Sequence, residues 1–571
     1  MRDPSVFYME AIEMRISVMA AALIAALLAS GCASSSSTVD TIPFVAKSYP
    51  ADGAAACVKN DDGTFHQGLS KIESVDASTV VFTLCAPDPA FLQKLSFVPF
   101  TIDDSGYLQS ATADGSILDQ PNGTGPFKLT GWAKQEQIVL GRNDQYWGEK
   151  AKADTLTFLF QPESSARLLL LQSGAADGID NVAESDYTSV SENPELKMYS
   201  RSALGSLFIG LNTSLAPFDD LRVRKAIALT IDSQRIVDNF FPTGSEKADY
   251  FTPCAVKYGC EGEPWYQQDL AAARQLLSDA GYPNGIDVTL SYRDAVRLSN
   301  PAPNDIATDV QAQLAEVGIR VKLEVVEATT FFADTAAGKV PMWISGWIPD
   351  YLDTSNYLDL YFGKGAAPRF GEPVPAVGEA LALADVTYDS PERAAMFAAA
   401  NNALRDSIIM VPLGHGASNV AFKADVTGAH ASPIADENLA VMDPGGRGKL
   451  VFVGSLEPAS LFCGDEGDND AFRVCSQISE GLYGIKTGGT EPEPVLATGC
   501  TASKDKLTWT CTIRSGVKFH NGATLDATDV VDSFVTRWDC ASPLHKGRTG
   551  QFSYWSFFSG FLNPASCAKP S

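Results

Sequence analysis

Histidine is scarce: the 571 residues hold five, at His66, His415, His430, His520 and His545, too scattered in sequence to suggest a catalytic or metal site. Basic charge is short too. Forty-three Lys and Arg stand against 69 Asp and Glu, a formal charge of −26 that repels nucleic-acid phosphates and excludes that partner. There is no Gly-x-Ser-x-Gly elbow, no His-Glu-x-x-His and no glycine-rich loop closing on Lys-Ser or Lys-Thr, so a secreted hydrolase is the least favoured reading and the chain is expected not to be an enzyme. No cysteine pair has the two-residue spacing of a zinc knuckle, and neither a metal nor a cofactor is expected. No internal repeat is visible, and the longest apolar run, Ile16 to Ala29, is short for a membrane-spanning helix.

That run is nevertheless an address. It follows Met14-Arg15 and ends in Ala29-Ser30-Gly31-Cys32, similar to a bacterial lipoprotein signal. The similarity implies cleavage before Cys32, lipidation of its thiol, and a flexible tether through Ala33 to Thr38. Residues 1–13 read as an over-extended start. Of 11 cysteines, setting Cys32 aside leaves an even ten, as disulfides in an oxidising compartment require. Cys254 with Cys260, Cys463 with Cys475 and Cys500 with Cys511 are the local pairs; Cys57, Cys85, Cys540 and Cys567 leave three connectivities open.

Length implies two or three lobes rather than one core. Through the middle of the chain strands and helices alternate, as a sheet flanked by helices requires. Ile286 to Tyr292 reads as a strand, Asn304 caps a helix with Ile306, Val310, Leu314 and Val317 on one stripe, and Arg320 to Val326 is the next strand. Asp220 to Asp232 reads as a helix with surface arginines, and Pro391 to Met410 as a further long helix. Residues 40–64 read as loop, and Asp443-Pro-Gly-Gly-Arg-Gly448 as a linker before a new strand, Lys449 to Val453.

One stretch, Trp343 to Phe362, places Asp350 within a run of six aromatic residues. A carboxylate walled by rings is partly dehydrated and calls for a cation, and a ligand ammonium answers that need with cation–π support from the rings. The plainer alternative is that Asp350 caps a turn after Pro349 and the rings are core.

Six segments together resemble the peptide-binding branch of bacterial extracellular solute-binding proteins, the lipoproteins that serve ABC importers. They are Ile478 to Tyr483; Ile513 to Gly522 with Ala527 to Val530; Gly123 to Leu129; Arg142 to Trp147; Arg222 to Ala226 with Ile231-Asp232; and Gly346 to Tyr351. The resemblance implies a two-lobed α/β fold of the periplasmic-binding-protein kind, with a hinge between lobes. Residues 1–39 would be signal and tether, 40–125 with 494–571 a small accessory subdomain, 126–213, 414–442 and 449–493 lobe I, 214–413 lobe II, and 443–448 a linker. The order departs from the family: segments that open its members close this chain, as a circular permutation or a gene-assembly artefact would produce.

Carried over position by position, the resemblance assigns Asp350 to a peptide's α-ammonium and Arg297 to its carboxylate, whose planar shape suits a guanidinium. It makes Trp347 and Tyr351 ligand contacts, with Glu480 and Tyr483 from the other lobe. It further implies a monomer, lipid-anchored at Cys32 on the outer side of the cytoplasmic membrane, that closes on a short peptide and delivers it to an ABC permease. An oligosaccharide, nickel or haem carrier of the same fold is the rival.

Overall fold

The computed structural model describes residues 44–59, 65–364, 366–539, 542–544, 552 and 554–563. Cys32, Cys540, Cys567 and His545, and with them the signal and anchor reading, lie outside the described residues. From Ala46 onward the described residues form one compact unit built on a large mixed sheet. Its strands run in the order Ile319–Val325, Ile286–Tyr292, Met342–Trp347, Leu196–Leu211, Met410–Lys423, Gly178–Asp180, Lys449–Gly454, Thr155–Phe160, Gln137–Arg142 and Phe127–Ala133.

Two strands span it. Leu196–Leu211 and Met410–Lys423 pair antiparallel along nearly their whole length, with irregularities at Pro412/Gly414 and Gly416/Ser418. At one end, Leu207 to Leu211 and Ile408 to Leu413 enter a large apolar core with Val223, Ile306, Val310 and Trp343. At the other, Val420 to Phe422 join smaller cores with Phe158, Phe452 and Ile179. The shared strands thus tie two separately packed halves together. In the first half the expected crossover is present: Ile286–Tyr292 and Ile319–Val325 pair in parallel, joined by the helix Pro303–Ala315.

The second sheet draws on both ends of the sequence. Its order is Ser48–Tyr49, Leu69–Asp76, Thr79–Leu84, Thr508–Ile513 and Ala497–Ala502, so strands more than 400 residues apart pair directly. Near the far end of the chain, the Asn563 amide donates to Leu69 O at 3.0 Å and Ala56 O at 3.2 Å. Meanwhile Lys449–Gly454 lies parallel to both Gly178–Asp180 and Thr155–Phe160, deep in the large sheet. The turn leading into it bridges Asp443 to Thr427 and uses left-handed backbone at Gly445, Gly446 and Gly448, which only glycine adopts without strain.

Among the described residues four disulfides are present: Cys254–Cys260, Cys463–Cys475 and Cys500–Cys511 as the spacing predicts, and Cys57–Cys85, which selects one of the three open connectivities.

Several local expectations are corrected. Asn304 is not a cap: Ala302 precedes the helix, and the Asn304 side chain accepts from Tyr292 Oη and donates to Asp294 at 2.9 and 2.8 Å. Arg222 is exposed as expected, but Arg224 is buried and donates to Phe218 O, Asp219 O and Ser407 O. The helix from Pro391 stops at Ser407, because Ile408 is left-handed and Met410 already begins a strand. Residues 40–64 are not all loop, since Ser48–Tyr49 adds an edge strand.

Candidate functional site

Asp350 sits where the strand Met342–Trp347 ends and before the helix Thr354–Phe362 begins. The turn between them is tightly held. Asp353 caps the helix by accepting from Ser355 N at 3.0 Å, and its two oxygens take the Arg393 guanidinium at 2.9 and 3.0 Å. Burial opposes the Asp353 charge, but Arg393 outweighs it and holds the carboxyl below its ordinary value. Asn356 Oδ1 then accepts from both Asp350 N at 3.0 Å and Trp347 Nε1 at 3.1 Å, fixing the indole beside the aspartate.

In contrast to Asp353, Asp350 has no counter-ion among the described residues. It is 8% exposed, and its Oδ2 has no hydrogen-bond partner among them. Burial pushes the carboxyl up to about 8, opposed only by Asn356. Such a group is costly to keep charged in the empty protein and gains from any cation brought to it. The helix Thr354–Phe362 is capped by Asp353 and not by Asp350.

Arg297 reaches the same neighbourhood through backbone packing. Arg297 and Asn300 exchange backbone hydrogen bonds at 3.0 and 2.9 Å, closing a tight loop. That loop rests on three strands at Gly205, Gly346 and Gly416, where any added Cβ would collide with Ser299 or Leu298. Gly346 immediately precedes Trp347, so the loop is seated next to the Asp350 stretch while Arg297 is exposed.

Tyr351 turns the other way. It is buried among residues of the second sheet's core, 5.9 Å ring to ring from Phe558 and 5.5 Å from Lys94 Nζ. Tyr483 belongs to the same cluster, and its hydroxyl accepts from Cys500 N at 3.0 Å. Glu480 is buried with its carboxylate fully engaged: Thr124 Oγ1, Tyr146 Oη and Trp147 Nε1 donate to it at 2.8, 2.6 and 2.9 Å. Burial raises its carboxyl, and the three donors and Arg514 pull it down. The structure therefore gathers Asp350, Trp347 and the Arg297 loop, places Tyr351 and Tyr483 in the packing behind them, and sets Glu480 in a hydrogen-bonded pocket of its own.

Some participants escaped sequence reading. Asn356 orients both Trp347 and Asp350; Tyr361, already within the aromatic stretch, stands edge-on to Trp347 with centroids 6.0 Å apart. The helical spacing of Asn356 after Asp353 was the available signal. Tyr554, whose hydroxyl burial and the Asp350 charge both raise, comes from a segment some 200 residues distant that carries no marker. One cavity of 460 Å³ lies beside Thr289, Lys322 and Pro341 and another of 320 Å³ beside Tyr361, Phe370 and Ile409; Asp350 lines neither of these. Among the described residues no cluster of His, Cys, Asp and Glu could hold a metal.

Two packed halves sharing long strands, with an unpaired buried carboxylate beside the strands that join them, define a two-lobed α/β solute-binding protein. The chain belongs to the bacterial extracellular solute-binding proteins, family 5 Middle, whose model matches residues 34–369 and 491–548. It is 27% identical to the haem-binding protein A of Haemophilus influenzae, over 65% of this chain and 69% of that protein. To the di/tripeptide-binding protein 1 of Pseudomonas aeruginosa it is 28% identical, over 61% of this chain and 66% of that one, so it spans about two thirds of such relatives. Among solved structures, the periplasmic binding protein DppA from Helicobacter pylori in complex with the peptide STSA aligns with a TM-score of 0.54 and 27% identity, covering 67% of this chain and 72% of that one.

Proposed function

We propose that this protein binds short peptides outside the cytoplasm and delivers them to an ABC permease, and that Asp350 receives the peptide ammonium. The observation that carries this reading is the buried Asp350 carboxyl without a cation. Arg297 meets the carboxylate end, Trp347 packs on the peptide, and Tyr351, Tyr483 and Glu480 hold the wall behind. The lobes are 126–213 with 414–442 and 449–493, and 214–413; 40–125 with 494–571 form the accessory part, and 443–448 is the joint of a permuted order. Ligand contacts with both lobes favour the closed state, which the permease reads.

The similarity to a haem-binding protein supports haem as the second reading. Titration calorimetry with a tripeptide library, haem and an oligosaccharide panel separates the alternatives. Peptide binding in the micromolar range or tighter is expected, and binding of haem or sugar alone would overturn the reading. The protein is a monomer held to the membrane by lipid on Cys32, so Cys32→Ser should release it in cell fractionation. A variant that stays attached as firmly as the parent would remove the anchor from the account.

A further inference from the structure

Nearly all the described arginine side chains make a hydrogen bond or ion pair within the protein. Three do not: Arg293, Arg297 and Arg369 have neither among the described residues, and Arg369 Nε is buried without a partner. This is unexpected in a chain with 69 acidic residues, where a guanidinium need not go far to find a carboxylate. The three also share one neighbourhood. Arg369 lies 5.9 Å from the centre of the Tyr361 ring, and Tyr361 stands against Trp347. Arg293 lies 4.4 Å over Phe332, which is 46% exposed. Burial and then the nearby Arg297 charge lower the Arg293 guanidinium, while Arg369, Arg293 and Asp350 all act on the Tyr361 hydroxyl.

Gathering like charges without counter-ions is unfavourable unless an anion completes the set. A single carboxylate is satisfied by one guanidinium fork, so Arg297 alone would suffice for an ordinary peptide terminus. Two more unpaired forks beside it imply a second anionic group. The protein's overall negative field repels anionic solutes, and a local cationic group is what lets one settle.

We propose that Arg293, Arg297 and Arg369 together receive a ligand end that carries two carboxylates, so that the preferred solute is a short peptide ending in aspartate or glutamate. This rests on the peptide reading above, with Asp350 holding the opposite end. The test is calorimetry with Ala-Ala-Glu and Ala-Ala-Gln on the parent, Arg369→Gln and Arg293→Gln. The parent should bind the Glu peptide at least tenfold more tightly than the Gln peptide. In either variant that ratio should fall to threefold or less, with affinity for the Gln peptide little changed. Because neither arginine makes a hydrogen bond or ion pair among the described residues and each has only ring contacts, both variants should melt within a few degrees of the parent. Equal binding of the two peptides by the parent overturns this inference and leaves the peptide reading standing. Binding of neither overturns both. A preference that survives in both variants also overturns it, since the discrimination would then lie elsewhere.

Discussion

Asp350 is kept in a setting that suits a ligand and not the empty protein. Its carboxyl titrates near 8 in the fold and near 4 when unfolded, so the unfavourable term is absent below about pH 4, grows as pH rises, and is complete above the folded value. At neutral pH the penalty is on the order of 4 kcal/mol. Asp350→Asn should therefore unfold at higher urea concentration than the parent at pH 7.5, with the gap closing toward pH 4; a variant less stable than the parent at pH 7.5 would mean that Asp350 has a hidden partner. Peptide binding has the matching signature. An ammonium needs the ionised aspartate, so affinity should rise by up to tenfold per unit from pH 5 to 7 and flatten near 8, and the variant should lose this slope. Glu437 shows the opposite sign. Burial opposes its charge, but Arg201 and Arg473, donating at 2.7 and 2.8 Å, hold its carboxyl down at about 2. It stabilises the fold above about pH 4.5 and loses that contribution as pH falls toward 2, and Glu437→Gln should cost about 3 to 5 kcal/mol in chemical denaturation at pH 7.

Secondary elements position these groups through close backbone contact. Gly346 lies in a strand under the Arg297 loop, and a methyl there would collide with the Ser299 side chain and Ser206 O. Gly346→Ala should destabilise by about 1 to 3 kcal/mol, as overpacking does, and weaken peptide binding by shifting the loop. Unchanged affinity would detach that loop from the site. Most elements were legible in the sequence because their patterns are local: the strand Ile286–Tyr292 is bounded as the alternation predicts. Misreadings arose where a polar residue had a tertiary use. Asn304 looked like a cap but serves Tyr292, and Arg224 looked solvated but binds three carbonyls. At the site, Asp350 stood out by its aromatic surroundings, Tyr361 among them, whereas Tyr554 is brought near it only by chain folding and leaves no spacing to read.

Across the whole molecule, a sheet made from both chain ends carries part of the packing around Tyr351, so the extremities of the sequence contribute to one neighbourhood. Cys463–Cys475 ties the helix Asn469–Ile478 to the segment before it, and its removal by paired serine substitution should lower stability by up to about 2 to 5 kcal/mol, less in so large a core. Alkylation under denaturing conditions should accordingly find the eight described cystine sulfurs unreactive before reduction. The central claim, that one buried carboxylate waits for a peptide ammonium, is tested most directly by calorimetry on parent and Asp350→Asn with one tripeptide bearing a free or an acetylated N-terminus. Breaking a buried charge pair from one side is worth about 3 to 5 kcal/mol, so either change alone should weaken binding about a hundredfold or more. Both together should weaken it little further, because they remove the same contact. If Asp350→Asn binds the free and the acetylated peptide as the parent does, Asp350 does not meet the ligand and the account is contradicted.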